Sequence, residues 1–529
     1  MKQLLIILFM LGFSISSYSQ YPKVYGHNTY DAIGRALASA NDGGVLIGGA
    51  ERLTLNGNLT GYLRKTDING NELWKRYFAQ DNGATVIVAG ISINSNDEIL
   101  VSGTSNGQWD GFLVKLNSCG EKQWCRVIEI PSQNLCMNNV VFSDNSYIIQ
   151  SDHNQFSYDR IWLYHVSSEG EMLWMKCMEP DTNYFDETGY YLLLTNDSCV
   201  LVTGFNFFIR EPGSGLGWFS PLWVKFDLEG NQLWDLTWYG DDFIHGNFGH
   251  TIQDAYGNYY GAGADGFQEP DMKASFYKFT PDGIPLKLVH VFDQGAASGA
   301  YSISFFEDST LFIGGAYAYG NNGYSMVIKS DTAGNVIKTK DVPLYGNPVG
   351  YSVVTHDKKV LALGERYPEY LGHWETCLFK FNQELEYDSI YTQPYVYDSL
   401  CPHPVSPVET ILLDCEIVDV EEPMRKPENS RLTFYPVPSS GQVTVTLPEY
   451  YITEETHFRI KTTTTYFQLK GDKTIEIYDL HGKKTASFLL HDGETSLTFD
   501  VSAWAPGIYM ARLVCKGKVW AQGKLMVVR

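Results

Sequence analysis

The sequence predicts an all-β protein, a seven-bladed β-propeller followed by a small C-terminal β-sandwich domain. Three observations predict it. One ten-residue stretch returns seven times at a spacing near 50 residues. Short apolar runs ending in glycine recur between the copies. The composition combines 49 Gly and 35 Tyr with 44% hydrophobic residues, which suits tight turns and pleated, half-buried surfaces.

The repeat is clearest in Lys65-Thr-Asp-Ile-Asn-Gly-Asn-Glu-Leu-Trp74. Copies at 115–124, 165–174 and 225–234 end in Trp124, Trp174 and Trp234, and weaker copies at 278–287 and 329–338 end in Lys287 and Lys338. A degenerate seventh, 380–385, has Leu385 where the others have glycine. The turn residues Gly70, Gly120, Gly170, Gly230, Gly283, Gly334 and Leu385 are 50, 50, 60, 53, 51 and 51 apart. A period of roughly 40–50 residues with strand-type units indicates propeller blades.

Each unit reads as four strands, at 34–40, 43–50, 61–67 and 71–78 in the first and 88–94, 98–105, 111–117 and 122–130 in the second. The second strand is apolar and ends in glycine, as in Val45-Leu-Ile-Gly-Gly49 and Leu311-Phe-Ile-Gly-Gly315. Such runs suit strands covered on both faces. Asp or Asn with Gly makes the hairpin turn, and the tryptophan four residues on begins the outer strand, where it packs on the next blade. The motif is therefore structural, and the propeller spans 21–397. Its closure has two solutions: Tyr25-Gly26 resembles Tyr239-Gly240 and Tyr345-Gly346, so the N-terminal segment supplies the last outer strand, or 384–391 does.

The ends carry other signals. Residues 1–20 read as a signal peptide, with Lys2, an apolar run over 4–15 and a small polar exit. The run is shorter than the roughly 20 residues a membrane-spanning helix needs, and no later stretch is apolar enough for a transmembrane segment. A linker is expected over 398–430, from Pro402, Pro404, Pro407, Pro423, Pro427 and interspersed acids. Cys401 and Cys415 are predicted to pair locally within it, and Cys119 with Cys125 offers a second local pair. The odd total of nine cysteines means that at least one is unpaired or removed by processing. The last domain, 431–529, shows alternating strands such as Val443-Thr-Val-Thr-Leu447 and Thr474-Ile-Glu-Ile-Tyr478. The net charge of −22 argues against nucleic acid and anionic membrane surfaces as partners.

Residues 431–529 resemble the C-terminal sorting domain of the type IX secretion system. The likeness is carried by Phe434-Tyr-Pro-Val-Pro438 with Gly441, Ile477-Tyr-Asp-Leu-His-Gly482, Leu497-Thr-Phe-Asp-Val-Ser502, Gly507-Ile-Tyr509 and Lys524-Leu-Met-Val-Val528. Val437 stands where the family usually has Asn, and 451–472 looks like an insertion. The corresponding motif residues are Tyr435, Pro436, Pro438, Gly441, Tyr478, Asp479, Gly482, Gly507, Tyr509 and Lys524. The resemblance implies passage through the periplasm, the outer-membrane translocon and a sortase as partners, and a secreted or surface-attached product. The propeller is similar to repeats common in exported proteins of such bacteria.

In a propeller the loops joining second to third strand share one face with the connections between blades, and the tryptophan turns lie on the other. Extra residues are spent on the first, the loop face. Phe207, Phe208, Trp218 and Phe219 in the fourth repeat, Tyr370 and Trp374 in the seventh, and Asp241 and Asp242 between blades form a candidate surface for sugar or peptide. Aromatic faces stack on apolar ligand faces and acids accept hydrogen bonds. The alternative is that these aromatics bury one another. No catalytic residues are assigned: Asp241 and Asp242 are adjacent and tend to point apart, and no nucleophile elbow or phosphate loop occurs. His245 and His250 lack a paired Glu, so no metal is expected, and no cofactor is. The repeat is similar to the docking motif of pyrroloquinoline quinone propellers, a likeness of fold alone. The expected function is a non-catalytic exported propeller binding glycan, peptide or another surface protein; the alternatives are a polysaccharide-active hydrolase or lyase, or a purely structural surface protein.

Overall fold

The structure is a computed structural model of the 529-residue chain. It describes residues 21–26, 30–105, 110–129, 134–155, 158–178, 186–209, 217–238, 248–266, 272–292, 297–307, 309–319, 322–388, 395–419, 432–447, 450–454, 463–467, 473–480, 482–491, 494–515 and 518–529. The predicted signal peptide lies outside the described residues. The chain divides into two units, 1–420 and 421–529.

The first unit is a ring of seven antiparallel sheets. The innermost strands of blades 1 to 7 are Ala32–Ser39, Val86–Ile93, Asn134–Val141, Asp186–Leu194, Phe248–Gln253, Ala297–Glu307 and Val349–Val354. Each touches the next, and the seventh touches the first, so the ring closes around an axis. Closure uses the N-terminal solution: Lys23–Tyr25 pairs antiparallel with Glu375–Phe381 as the outer strand of blade 7.

The second strands, Val45–Arg52 and Ile99–Ser105 among them, are buried almost throughout, as their unbroken apolar runs require. Strand alternation sends successive side chains to opposite neighbours: Leu46 joins a core with Val101 and Val114 of blade 2, while Val45 and Ile47 join Leu361 and Leu363 of blade 7. Each of the seven blade interfaces holds one such hydrophobic cluster among the described residues.

The repeated motif is the mortar between blades. Gly120, Gly170, Gly230 and Gly283 hold φ of 73 to 83°, and a Cβ on any of them would meet the tryptophan of the preceding blade at 2.7 to 3.1 Å. Glycine is needed there for its conformation and for its missing side chain. Trp124, Trp174 and Trp234 each donate an indole N–H to a carbonyl of the next turn, those of Ser168, Leu228 and Pro281. Where the tryptophan is lost, Lys287 and Lys338 reach the carbonyls of Ala333 and Glu384 instead. The motif's first lysine folds back onto the turn between strands one and two: Lys115 meets Glu98 at 3.0 Å, Lys225 meets Asp197 at 2.7 Å and Lys380 meets Asp357 at 2.7 Å. Leu385 takes the left-handed conformation of the glycine it replaces, at φ 54°, and is fully buried.

Two expectations are corrected. The stretch expected as a linker is built into the propeller as far as 419. Val408–Leu412 adds a parallel fifth strand to Glu72–Ala79 of blade 1, and Glu416–Asp419 adds one to Lys122–Glu129 of blade 2. Its prolines at 402, 404 and 407 lie before the paired segment, so they remove no ladder donor. The cysteines pair across rather than locally, Cys119 with Cys401 and Cys125 with Cys415. The physical reason is register: strands running side by side bring residues nearly 300 apart in sequence within bonding distance. Cys199 and Cys377 are free thiols.

The second unit is a sandwich. A three-stranded sheet of Thr433–Tyr435, Gln442–Thr446 and Ser496–Asp500 shares one core with a four-stranded sheet of Lys484–Leu490, Lys473–Tyr478, Gly507–Cys515 and Lys518–Val527. Val443, Val445, Ile475, Ile477, Leu513 and Leu525 fill it. Part of the expected insertion forms a separate hairpin, Tyr450–Glu454 with Thr463–Phe467. No described helix is long and apolar enough to cross a membrane.

Candidate functional site

The loop face is built by the ends of the second and third strands and by the connections between blades. Several of its described carboxylates are held by cations. Asp31 meets Arg52 at 3.0 Å, Glu365 meets Arg35 at 3.4 Å, Glu375 meets Arg366 at 2.7 Å and Glu187 meets Arg160 at 4.0 Å. Asp265 accepts a close contact from His290. Burial holds the Glu365 carboxyl above the usual carboxylate range, and Arg35 only partly offsets it.

The predicted residues fall in two places. Phe207 and Phe219 are cross-strand partners in the long hairpin of Val200–Ile209 and Gly217–Phe226. Their rings lie 4.9 Å apart, Phe219 sits 5.0 Å from Phe205, and Phe205 stacks on Tyr190 at 5.7 Å. These rings cover one another, which is how a hairpin projecting beyond its blade keeps its pairing. Phe208 and Trp218 pair one register step further out. Asp241 and Asp242 lie outside the described residues. Tyr370 and Trp374 belong to blade 7, separated from blade 4 by two whole blades, so the predicted aromatics do not form one site. Trp374 is fastened to blade 1, its N–H donating to Asp31 at 3.0 Å and its carbonyl accepting from Ala32 at 2.8 Å. Its ring lies 5.2 Å from Tyr367, while Tyr370 is 78% exposed.

Sequence reasoning missed a cluster on the ring axis. Every innermost strand is interrupted at the same level by a register shift, at 34/36, 88/90, 136/138, 189/191, 248/251, 300/302 and 349/351. Bulges re-aim the side chains beside them. Tyr191 of blade 4 stacks on His250 of blade 5 at 4.2 Å and 11°, and Tyr351 of blade 7 meets the other side at 5.2 Å and 60°. Blades 5 and 7 are not neighbours, so these rings meet across the channel. Burial pushes the His250 imidazole down to about 4 and the Tyr351 hydroxyl up to about 12, leaving both neutral near pH 7. The signal was present but weak: an aromatic or histidine at the same offset in three innermost strands. Among the described residues no group of three or more His, Cys, Asp and Glu stands ready for a metal.

The second unit sorts its motif into fold and surface. Asp479 and Gly482, at φ 78°, make the hairpin turn, the Asp479 carboxylate accepting from the Lys483 N–H at 3.0 Å. Tyr509 is buried against Trp504 at 5.0 Å and donates to the Ala505 carbonyl at 2.8 Å. Tyr478 lies under the Arg512 guanidinium, 4.6 Å from its ring centre, and donates to Glu476. Gly507 opens the strand paired with the terminal one, and Gly441 accepts from the Val501 N–H. Tyr435, Pro436, Pro438 and Lys524 face solvent, as do Gly482 and Gly507, so these motif residues are open to a receptor. Residues 433–528 match the family described as the secretion system C-terminal sorting domain. The second unit is a sorting domain.

That domain marks the chain as cargo of the type IX secretion system, destined for the cell surface or the medium, and makes the translocon a partner. No curated protein matches the chain. Among solved structures it is similar to the β-propeller domain of the trilobed protease from Pyrococcus furiosus, at 10% identity, 69% of this chain, 99% of that one and a TM-score of 0.39. It is similar to polysaccharide lyase Uly1 at 11% identity, 70% and 95% coverage and a TM-score of 0.42. A protein of unknown function from Dyadobacter fermentans gives 10%, 68%, 98% and 0.42. None of these likenesses carries an activity over to this chain.

Proposed function

We propose that the protein is a non-catalytic binding propeller, delivered outside the cell by its sorting domain, which recognises an extracellular glycan, peptide or surface protein through the loop face. One observation supports this reading most. The described carboxylates named above on that face are engaged by Arg or His side chains, whereas its exposed large side chains include several aromatics, Tyr370 above all. Charge-paired acids suit a rigid recognition surface better than the acid and base of a hydrolase. Capture of ligands from a glycan array and a peptide library by the purified mature chain tests it. Tyr370→Ala with Trp374→Ala should weaken capture, and Tyr256→Ala, on the opposite face, should not. Failure of the mature chain to capture any ligand would refute the reading. The sortase is proposed as the sorting domain's second partner, with retention of that domain on the product of sortase-deficient cells as the check.

A polysaccharide-active enzyme is the second reading, favoured by His250 held between two tyrosines in the channel with Arg35 and Glu365 nearby. Its test is the release of reducing ends or unsaturated products. Activity surviving both His250→Ala and Tyr351→Phe would remove its basis.

A further inference from the structure

On the loop face, two exposed tyrosines outside blade 4, Tyr324 and Tyr345, lie where blade 6 meets blade 7. Tyr324 opens the third strand of blade 6 and stacks on its cross-strand partner Tyr317 at 5.1 Å and 17°. Tyr317 is itself held by a hydrogen bond to Asp341 at 3.2 Å. A Cβ on Gly323 would lie 3.0 Å from the Gly346 Cα, so the hairpin of blade 6 and the connection to blade 7 touch backbone to backbone. That contact brings the backbone at Tyr324 close to the backbone at Tyr345. On its other side Leu344, fully buried, packs against Gly364, where a Cβ would meet it at 2.4 Å. Two residues beyond Gly364, Arg366 is fixed by Glu375 and lies close enough to Tyr345 to interact with it electrostatically.

Tyr345 carries the argument. It is 58% exposed, yet its backbone holds φ 53°. A bulky side chain in the left-handed region is strained. Leu385 accepts the same strain with its side chain fully buried, but the ring of Tyr345 turns outward to solvent. Tyr345 and Gly346 are the central residues of a turn closed by the Asn347 N–H on the Leu344 carbonyl, which demands positive φ at both, and a strained, exposed aromatic at such a place motivates a functional reading.

We infer that Tyr324, Tyr345 and Arg366, held by Glu375, form a binding ridge for a neutral polysaccharide chain. This rests on the binding reading above and names its ligand class. Open tyrosine faces stack on the C–H faces of sugar rings, and the partly exposed Arg366 guanidinium, held by the buried Glu375 carboxylate, supplies fixed donors for hydroxyls. The chain's net charge of −22 and the Asp341 carboxylate beside Tyr317 repel a polyanionic chain.

The experiment is affinity electrophoresis of the mature protein in gels containing mannan, xylan, β-glucan or starch, with alginate and polygalacturonate as charged counterparts and an immobilised peptide library alongside. Retardation by at least one neutral polymer and none by the acidic ones is expected. Tyr345→Gly removes the ring and relaxes the backbone together, so affinity should fall tenfold or more while the melting temperature does not fall. Tyr324→Ala should weaken binding similarly, and Tyr256→Ala, 88% exposed on the turn face, should leave it unchanged. Retardation only by acidic polymers, or capture only by peptides, overturns the ligand class while leaving a binding propeller. Unchanged affinity in both ridge variants overturns the site. Failure to bind in every arm overturns the ridge together with the binding reading.

Discussion

Removing the two disulfides singly and together should give costs that do not add. Cys119–Cys401 joins residues 282 apart and Cys125–Cys415 joins residues 290 apart. Closing a loop of that length lowers unfolded-chain entropy by an amount worth about 5.6 kcal/mol at 25 °C. Once one bond exists, the other closes only a circuit of about 20 residues, the short stretches from Cys119 to Cys125 and from Cys401 to Cys415, worth about 3 kcal/mol. Cys119→Ser with Cys401→Ser should therefore cost about 3 kcal/mol, as should Cys125→Ser with Cys415→Ser. Removing all four should cost up to about 9 kcal/mol, an excess over the sum of roughly 2 to 3 kcal/mol. Guanidinium denaturation of the full chain, followed by near-ultraviolet circular dichroism, measures the three differences. Non-reducing peptide mapping checks the pairing, since the fragment holding Cys401 must carry that holding Cys119. Costs that add within about 0.5 kcal/mol would refute the shared-loop reasoning, and local pairs in the map would refute the strap itself.

Three further outcomes are expected. Gly283→Ala should cost more than about 2 kcal/mol, because it adds a Cβ 2.7 Å from Trp234 to the left-handed backbone penalty; Gly372→Ala, at φ 67° with nothing within 4 Å, should cost only about 1 kcal/mol in the same melting series. Glu476 in the sorting domain is held down to about 2, first by its hydrogen bond from Lys484 and then by that from Arg512. The native state thus binds fewer protons than the unfolded one, and this contribution is present above the ordinary glutamate range and lost as pH falls through about 2. Glu476→Gln should flatten that acid limb in pH-dependent denaturation. Deleting 431–529 should trap the protein in the periplasm, and fractionation showing unchanged surface delivery would contradict the sorting role.

Much of the fold was legible because the repeat states it seven times. Six of the seven turns carry a glycine at the left-handed position, each second strand needs an apolar run, and spacing alone counts the blades. Even the lysines that replace tryptophan keep a donor reaching the next turn. The sorting domain was legible for a similar reason, since its motif residues largely make turns and core contacts that local sequence must encode. Those requirements are local, so sequence by itself determined the propeller, its blade count, the identity of its two faces and the route of export.

Contacts between distant residues were decided only by the tertiary structure. Composition marked 398–430 as a linker, but the open outer edges of blades 1 and 2 take up its two short strands, and that register crosses the cysteine pairs. The aromatics of blade 4 looked like a binding surface in sequence; pairing across their hairpin turns several of them toward one another. His250, Tyr191 and Tyr351 become neighbours only because a closed ring points equivalent bulges at one axis. Tyr345 becomes a candidate only through its backbone angle and exposure, neither of which its neighbours in sequence announce. A repeat specifies its own unit, while a site made between units depends on how the ring brings them together.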